Sequence, residues 1–352
     1  MKNLFFSFLV SILGFASFHA VMGSKSWQTI KPGGSTICGL GGEYAFFYRE
    51  GTTNSDKLVV EFEGGGACWN AATCGLGTFK SSISVDATLL ELYAMGGIHS
   101  DSDSRNAFAG WNHLYVPYCT ADAHGGNNTM KYSGWKTVHH MGRANALSAL
   151  DWVFGKVKSP SIVATVGCSA GSLGAIVNAP YIMNNYPSAR NFYWGDSYVG
   201  VLTNEQFADG LHNWKLTMAP FISGLSYASL DKVAANKTQD SGLYIIKQTI
   251  AAFPKWHFAS YTSDADAVQT SFYGLGGGNV LGWSKYMRTL ISSVHEVTSQ
   301  YYTFIASGIM HCRSQDSGFF GVETKGRKLY EWLQALASDK MQPGDQRIDC
   351  CD

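Results

Sequence analysis

The sequence predicts an α/β fold: a mostly parallel central sheet with helices on both faces and inserted loops. Three observations carry this expectation. Short runs rich in β-branched and aromatic residues recur along the chain, stretches with a helical apolar period lie between them, and the joining segments are short. Strands that alternate with helices in this way pair in parallel, and a parallel sheet is buried on both sides by the helices that connect it.

Taken in order, Lys57 to Phe62 reads as a strand and runs straight into Glu63-Gly64-Gly65-Gly66-Ala67-Cys68-Trp69. Asn112 to Tyr118 is the next strand. The segment from Gly142 to Val157 is a helix, because Leu147, Leu150, Val153, Phe154 and Val157 fall at helical spacing. Ser161 to Val166 is a strand, as are the segments ending at Asp196 and running from His257 and from Tyr302 to His311. The stretches from about 70 to 110 and from 200 to 255 are poorly patterned. They are the candidates for lid and substrate-binding insertions.

Composition bounds the function. The 352 residues carry no formal net charge and only 15% charged side chains, so there is no electrostatic footprint for nucleic acid. Lys2 followed by the apolar run from Leu4 to Ala16 reads as the start of a signal peptide, with removal after Ala20 or Gly23. A leader over residues 1–23 and a single secreted domain over 24–352 are therefore expected. No other segment approaches a membrane span, so no stable membrane insertion is expected after leader removal.

The chemistry centres on Gly167-Cys168-Ser169-Ala170-Gly171, a G-x-S-x-G run between a strand and a small-residue stretch able to start a helix. In α/β-hydrolases this pentapeptide forms a strained turn that holds the serine outward, which makes Ser169 the candidate nucleophile. An acyl-transfer enzyme also needs backbone N–H groups aimed at the developing oxyanion. The glycine loop after the first strand supplies the amides of Gly65 and Gly66, joined by that of Ala170. The base must come late in the chain. His212, His257, His295 and His311 follow Ser169, and of these His311 follows the final strand-like segment and can reach the serine from above the sheet. The acid is expected at the end of the preceding strand, where Asp266 is chosen; Asp264, two residues away, satisfies the spacing equally, and Asp196 is a third candidate, read as structural or substrate-lining. Asp122 and His124 follow a strand and are read as loop structure ahead of pocket lining, and His139-His140 as a solvated connection. Asn127-Asn128-Thr129 and Asn236-Lys237-Thr238 are glycosylation sequons.

The series Glu63-Gly-Gly-Gly-Ala-Cys68, Val116-Pro-Tyr-Cys119-Thr-Ala-Asp122, Gly167-Cys-Ser-Ala-Gly171, Asp266-x-x-Gln269 and His311-Cys312 resembles the pectin acetylesterase family, which also holds the animal Notum-type enzymes. The resemblance covers residues 38 to 315. It implies Ser169 as nucleophile, Asp266 as acid, His311 as base and Gly65, Gly66 and Ala170 as oxyanion donors. Gly66 stands where the Notum-type enzymes carry a tryptophan, so the resemblance implies a short acyl group ahead of a fatty one. Ser172 and Asn106-Ala-Phe108 are further departures that leave the triad untouched. Proximity and the family pattern favour Cys68 with Cys74 and Cys312 with Cys350 or Cys351, then Cys38 with Cys119, and leave Cys168 a buried free thiol. The expected protein is a secreted, monomeric serine carboxylesterase that removes acetyl groups from an acylated polysaccharide such as pectin, with no cofactor and no metal. The alternatives are a Notum-like fatty-acyl esterase and a non-catalytic carbohydrate-binding protein.

Overall fold

A computed structural model describes residues 26–132, 134, 136–236 and 241–351; the expected leader and Lys237-Thr238 of the second sequon lie outside them. Nine strands form the central sheet: β1 (Gln28–Ile30), β2 (Phe46–Arg49), β3 (Asn54–Phe62), β4 (Trp111–Val116), β5 (Ile162–Cys168), β6 (Arg190–Asp196), β7 (His257–Ser263), β8 (Tyr301–Ala306) and β9 (Arg347–Asp349). Their order is β1-β2-β4-β3-β5-β6-β7-β8-β9. Only β1 with β2 and β2 with β4 pair antiparallel; every later neighbour is parallel. The helices are α1 (Ala71–Gly75), α2 (Val85–Ala94), α3 (Gly142–Lys156), α4 (Ala170–Asn185), α5 (Asn204–Trp214), α6 (Tyr227–Ala235), α7 (Ser241–Ala252), α8 (Ala267–Leu275), α9 (Trp283–His295) and α10 (Leu329–Ala337). No helix among the described residues is long and apolar enough to cross a membrane.

Alternation along the strands divides the core in two. Leu58, Val60 and Phe62 of β3 and Val163 of β5 join Leu150, Val153, Ile176, Met287 and Ile291 of α3, α4 and α9 on one face. Val59, Ala164 and Val166 turn to the other face, with Trp332, Leu333 and Leu336 of α10. This is the doubly covered, α/β-hydrolase-like sheet that the sequence predicts. Because β3, β5, β6, β7 and β8 run parallel, their carboxyl ends share one edge of the sheet. In an open α/β sheet, that edge is where ligands bind.

Four local expectations need correction. The last predicted strand stops at Ala306, and the chain from 307 to 311 becomes a loop stitched to the end of β7 by hydrogen bonds from Asp264 N to Ala306 O (2.8 Å), Ala265 N to Gly308 O (3.0 Å) and Ala267 N to Ile309 O (3.1 Å). His139-His140 is not a solvated connection: Thr137–His140 pairs with Asn128–Lys131, and His140 is buried between the Tyr132 hydroxyl (2.9 Å) and the Thr120 carbonyl (3.0 Å). The Cys68–Cys74 and Cys38–Cys119 bonds form as expected, but Cys168 is not a free thiol and Cys312 does not reach the tail. Cys168 bonds Cys312, because the loop carrying His311 folds back over the turn at Ser169, and Cys350 bonds Cys351.

Burial pushes the His113, His124 and His140 imidazoles down to about 4, so they are neutral in the folded chain at pH 7. The unfolded imidazoles titrate near ~6.5, so the unfolded state binds the extra proton first as pH falls. Each group therefore supports the fold above that pH and withdraws its support on the way down to 4. His140→Gln is predicted to lower stability at pH 7.5, with the parent's advantage shrinking by about 1.4 kcal/mol per pH unit from 6.5 toward 4.5. Denaturant melts of both proteins across that range check this; a constant difference contradicts it.

Candidate active site

The site begins where three backbone segments touch. A Cβ on Gly171 would lie 2.0 Å from Phe62 O, one on Gly167 2.2 Å from Gly171 O, and one on Gly64 2.6 Å from Cys168 O. Each clash is with backbone, which cannot swing aside, so all three positions must be glycine. Between them Ser169 takes the left-handed φ of 57°, and its N–H donates to Asp196 O at 2.8 Å. The turn connects β5 to α4 and places the half-buried serine at the sheet edge.

Opposite it, the loop after β8 presents His311. Its Nδ1 lies 2.8 and 2.9 Å from the two oxygens of Asp266. Facing a carboxylate, Nδ1 is the donor, and Nε2 points away from Asp266. That Nε2 is buried and has no hydrogen-bond partner among the described residues, Ser169 Oγ included, while Ser169 and His311 line the same cavity. Hydrogen bonds between a catalytic serine and its histidine commonly tighten only once substrate is bound.

Asp266 is fully buried and caps α8: its carboxylate accepts the N–H groups of Val268 (3.0 Å) and Gln269 (2.9 Å) and the Gln269 side-chain amide (3.0 Å). The helix N-terminus and these donors fix the orientation of the carboxylate toward the imidazole. Asp264 does something else, accepting Gly308 N at 2.7 Å and so shaping the histidine loop from behind. Asp196 is buried and faces the backbone after the histidine: Oδ2 accepts Ser314 N (2.7 Å) and Oδ1 accepts Ser197 Oγ (2.7 Å), which itself accepts Cys312 N (2.9 Å). Burial pushes the Asp196 carboxyl up from its ordinary value, against these hydrogen bonds.

The glycine loop lies beside the serine. Gly66 has φ 73°, and a Cβ there would sit 1.9 Å from Thr78 O. Glu63 anchors the loop, with Oε2 accepting Tyr118 N (2.8 Å) and Oε1 accepting Lys80 Nζ (2.7 Å), while its carbonyl accepts His124 Nε2 (2.8 Å). His124 and Asp122 are thus buried posts: Asp122 accepts Thr120 Oγ1 and Gly142 N, each at 2.7 Å. The amides of Gly65, Gly66 and Ala170 have no acceptor among the described residues. They remain available to an oxyanion.

Above the serine opens a mostly apolar cavity. Trp69, Trp214, Phe272, Leu173, Phe207 and Leu211 are among the side chains that line it. Trp214 is fixed by its indole N–H on Cys68 O (2.8 Å), so α5 is latched to the glycine loop. Helices α5, α6 and α7 fall within the stretch from 200 to 255, and residues of α5 and α7 line the cavity. Trp69, Trp214, Phe272 and Ser197 escaped the sequence reading because nothing in their own neighbourhoods marks them. Gln269 is in view in the sequence through the Asp266-x-x-Gln269 match that carries the resemblance.

Away from the cavity, Glu61, His99 and His113 form a buried cluster. Glu61 Oε1 is 3.1 Å from His99 Nε2, Oε2 is 2.8 Å from His113 Nε2, and Gln315 Nε2 donates to Oε1 at 3.1 Å. Burial alone would raise the Glu61 carboxyl; the histidine charge and hydrogen bonds outweigh it and hold it well below the usual carboxylate range. His212 pairs with Asp231, His257 with Asp339 and His295 with Thr303, all outside the cavity.

A family model described as pectinacetylesterase matches residues 29–215. The chain is 24% identical to pectin acetylesterase 5 of Arabidopsis thaliana over 144 residues, covering 40% of this chain and 34% of that protein. It is 30% identical over 152 residues to the palmitoleoyl-protein carboxylesterase NOTUM of Schmidtea mediterranea, covering 40% of this chain and 27% of that protein. It therefore spans about a third or less of the length of these relatives. Among solved structures, the Wnt deacylase Notum from Drosophila is similar with a TM-score of 0.65 at 16% identity, over 94% of this chain and 97% of that one, which shows a shared fold.

Asp266 and Asp264 make a discriminating prediction. Asp266→Asn leaves the loop folded but presents an amide to Nδ1, and a loss of about 10³- to 10⁴-fold in kcat for ester hydrolysis is expected. Asp264→Asn keeps its oxygen for Gly308 N and is expected to stay within about 10-fold of the parent. Steady-state kinetics of the two variants decide it; equal losses would contradict the division of roles.

Proposed function

The chain belongs to the pectinacetylesterase family, and from that premise we propose that it is a serine carboxylesterase working through an acyl-enzyme on Ser169. The single observation that carries this reading is the buried Asp266–His311 contact at the mouth of the cavity that Ser169 also lines. In the proposed cycle, His311 Nε2 takes the Ser169 proton as Oγ attacks the ester carbonyl, and Asp266 stabilises the imidazolium. The amides of Gly65, Gly66 and Ala170 hold the oxyanion. His311 then protonates the leaving alcohol and activates the water that releases the acid. All of these steps use side chains and amides of the chain itself. An oxidising, extracellular setting fits the four disulfides.

The acyl group is read from the cavity wall. The absence of a tryptophan at position 66 suggests a short acyl group, but Trp69, Trp214 and Phe272 supply an aromatic wall from elsewhere in the chain. An acetyl group would leave most of this apolar surface without a partner. Each methylene buried against it contributes about 0.8 kcal/mol. The preferred substrate is therefore an ester of an apolar acyl chain several carbons longer than acetate. The second reading, deacetylation of a polysaccharide such as pectin, has the family match and the Arabidopsis relatives behind it.

Hydrolysis of nitrophenyl esters from acetate to palmitate, with Ser169→Ala alongside, separates the two. The expected result is a kcat/KM that rises about 10- to 10³-fold from acetate to octanoate and vanishes in the variant. Rates highest on acetate select the second reading. Identical background rates in both proteins contradict the esterase.

A further inference from the structure

The Cys168–Cys312 disulfide joins the residue before Ser169 to the residue after His311, across 144 positions of sequence, with the two Cα atoms 5.6 Å apart. We infer that this bond is a positioning element for the reaction, setting the imidazole over the serine, and that its reduction by a dithiol switches turnover off while the fold persists. The inference rests on the proposed acyl-enzyme chemistry.

Two features of the backbone support it. Cys312 adopts φ 58° and Ser169 φ 57°, left-handed conformations that a residue with a side chain keeps only where its surroundings over-determine it. At Cys312 the constraints are the hydrogen bond from its N–H to Ser197 Oγ (2.9 Å) and the disulfide itself. Removing the covalent one lets the peptide beside His311 relax, and a displacement of about 1 Å at a catalytic group can cost about 10²-fold in rate. The loop would stay docked, because Ser314 N on Asp196 (2.7 Å), Gly308 N on Asp264 (2.7 Å) and Ser263 Oγ on Met310 O (2.8 Å) do not involve the sulfurs.

Access separates this bond from two of the others. Both sulfurs of Cys38–Cys119 and of Cys68–Cys74 belong to fully buried residues. Cys312 is half-buried and follows the exposed pair Ile309-Met310, so a thiolate can approach its sulfur. One thiolate of the dithiol attacks Cys312 Sγ and displaces Cys168 as a thiolate, which takes up a proton. The second thiol then attacks the mixed disulfide and frees Cys312, leaving the dithiol oxidised by two electrons to its cyclic disulfide.

The test titrates the oxidised protein with a dithiol and follows three quantities: ester kinetics, the thiols formed at each cysteine by alkylation and peptide mass, and near-ultraviolet circular dichroism. The expected result is a fall in kcat of at least about 10-fold, with KM within about 2-fold, in step with alkylation of Cys168 and Cys312. It should reverse on reoxidation and leave the dichroism spectrum intact. The Cys350→Ser/Cys351→Ser double variant should respond to the dithiol as the parent does, and Cys168→Ala/Cys312→Ala should show the low kcat without any reductant. Full activity with both thiols alkylated overturns the inference, as does a loss of activity that accompanies loss of the spectrum. An oxidised parent without esterase activity overturns the acyl-enzyme reading, and this inference with it.

Discussion

Backbone contact between the end of β3 and the turn after β5 is the constraint on which the rest depends. Phe62 O, Cys168 O and Gly171 O come so close to Gly171, Gly64 and Gly167 that no Cβ fits. The same approach brings two things together. It sets the unengaged amides of Gly65 and Gly66 beside Ser169, and it holds the serine in a left-handed conformation that only a crowded neighbourhood maintains. Parallel strand pairing then carries the other groups to the same edge, since β6, β7 and β8 end where β3 and β5 end.

Three buried or half-buried aspartates near that edge show how environment assigns role. Asp266 caps a helix and turns its remaining acceptor capacity to an imidazole; Asp264 takes a backbone amide of the histidine loop; Asp196 holds the far side of that loop through Ser314 and Ser197. Two of the three therefore build the loop that the third addresses. The cavity above is apolar because helices inserted after β6 and β7 turn aromatic and aliphatic side chains over the serine. Its lining also carries a few polar side chains, among them His311, Gln269, Gln206 and Ser197, beside the unengaged amides, which suits a reaction whose charge develops at one carbonyl oxygen.

Much of this was legible in the sequence. The strands from 57, 112, 161 and 257 and the helix from 142 announce themselves through period and composition, and Ser169, His311 and the glycine loop through local pattern together with chain order. What was not legible depended on distance in space. Asp264 and Asp266 have nearly the same sequence context, and only the path of the loop after β8 distinguishes them. Cys168 reads as a free thiol in the sequence because its partner lies 144 residues along the chain, beside a histidine whose loop folds back over the turn. The cavity wall is not readable from Gly66 alone, since Trp69, Trp214 and Phe272 converge from three separate segments of the chain. Pairing of His140 in a hairpin was likewise hidden, its partner strand being too short to show alternation.

The central claim is that an ester's acyl group passes through Ser169. Rapid acid quench during turnover of a slow octanoyl ester, followed by intact and peptide mass measurement, examines it directly. The account predicts one octanoyl group per chain, on the peptide that contains Ser169. Turnover with no covalent adduct, or an adduct on another residue, would contradict it.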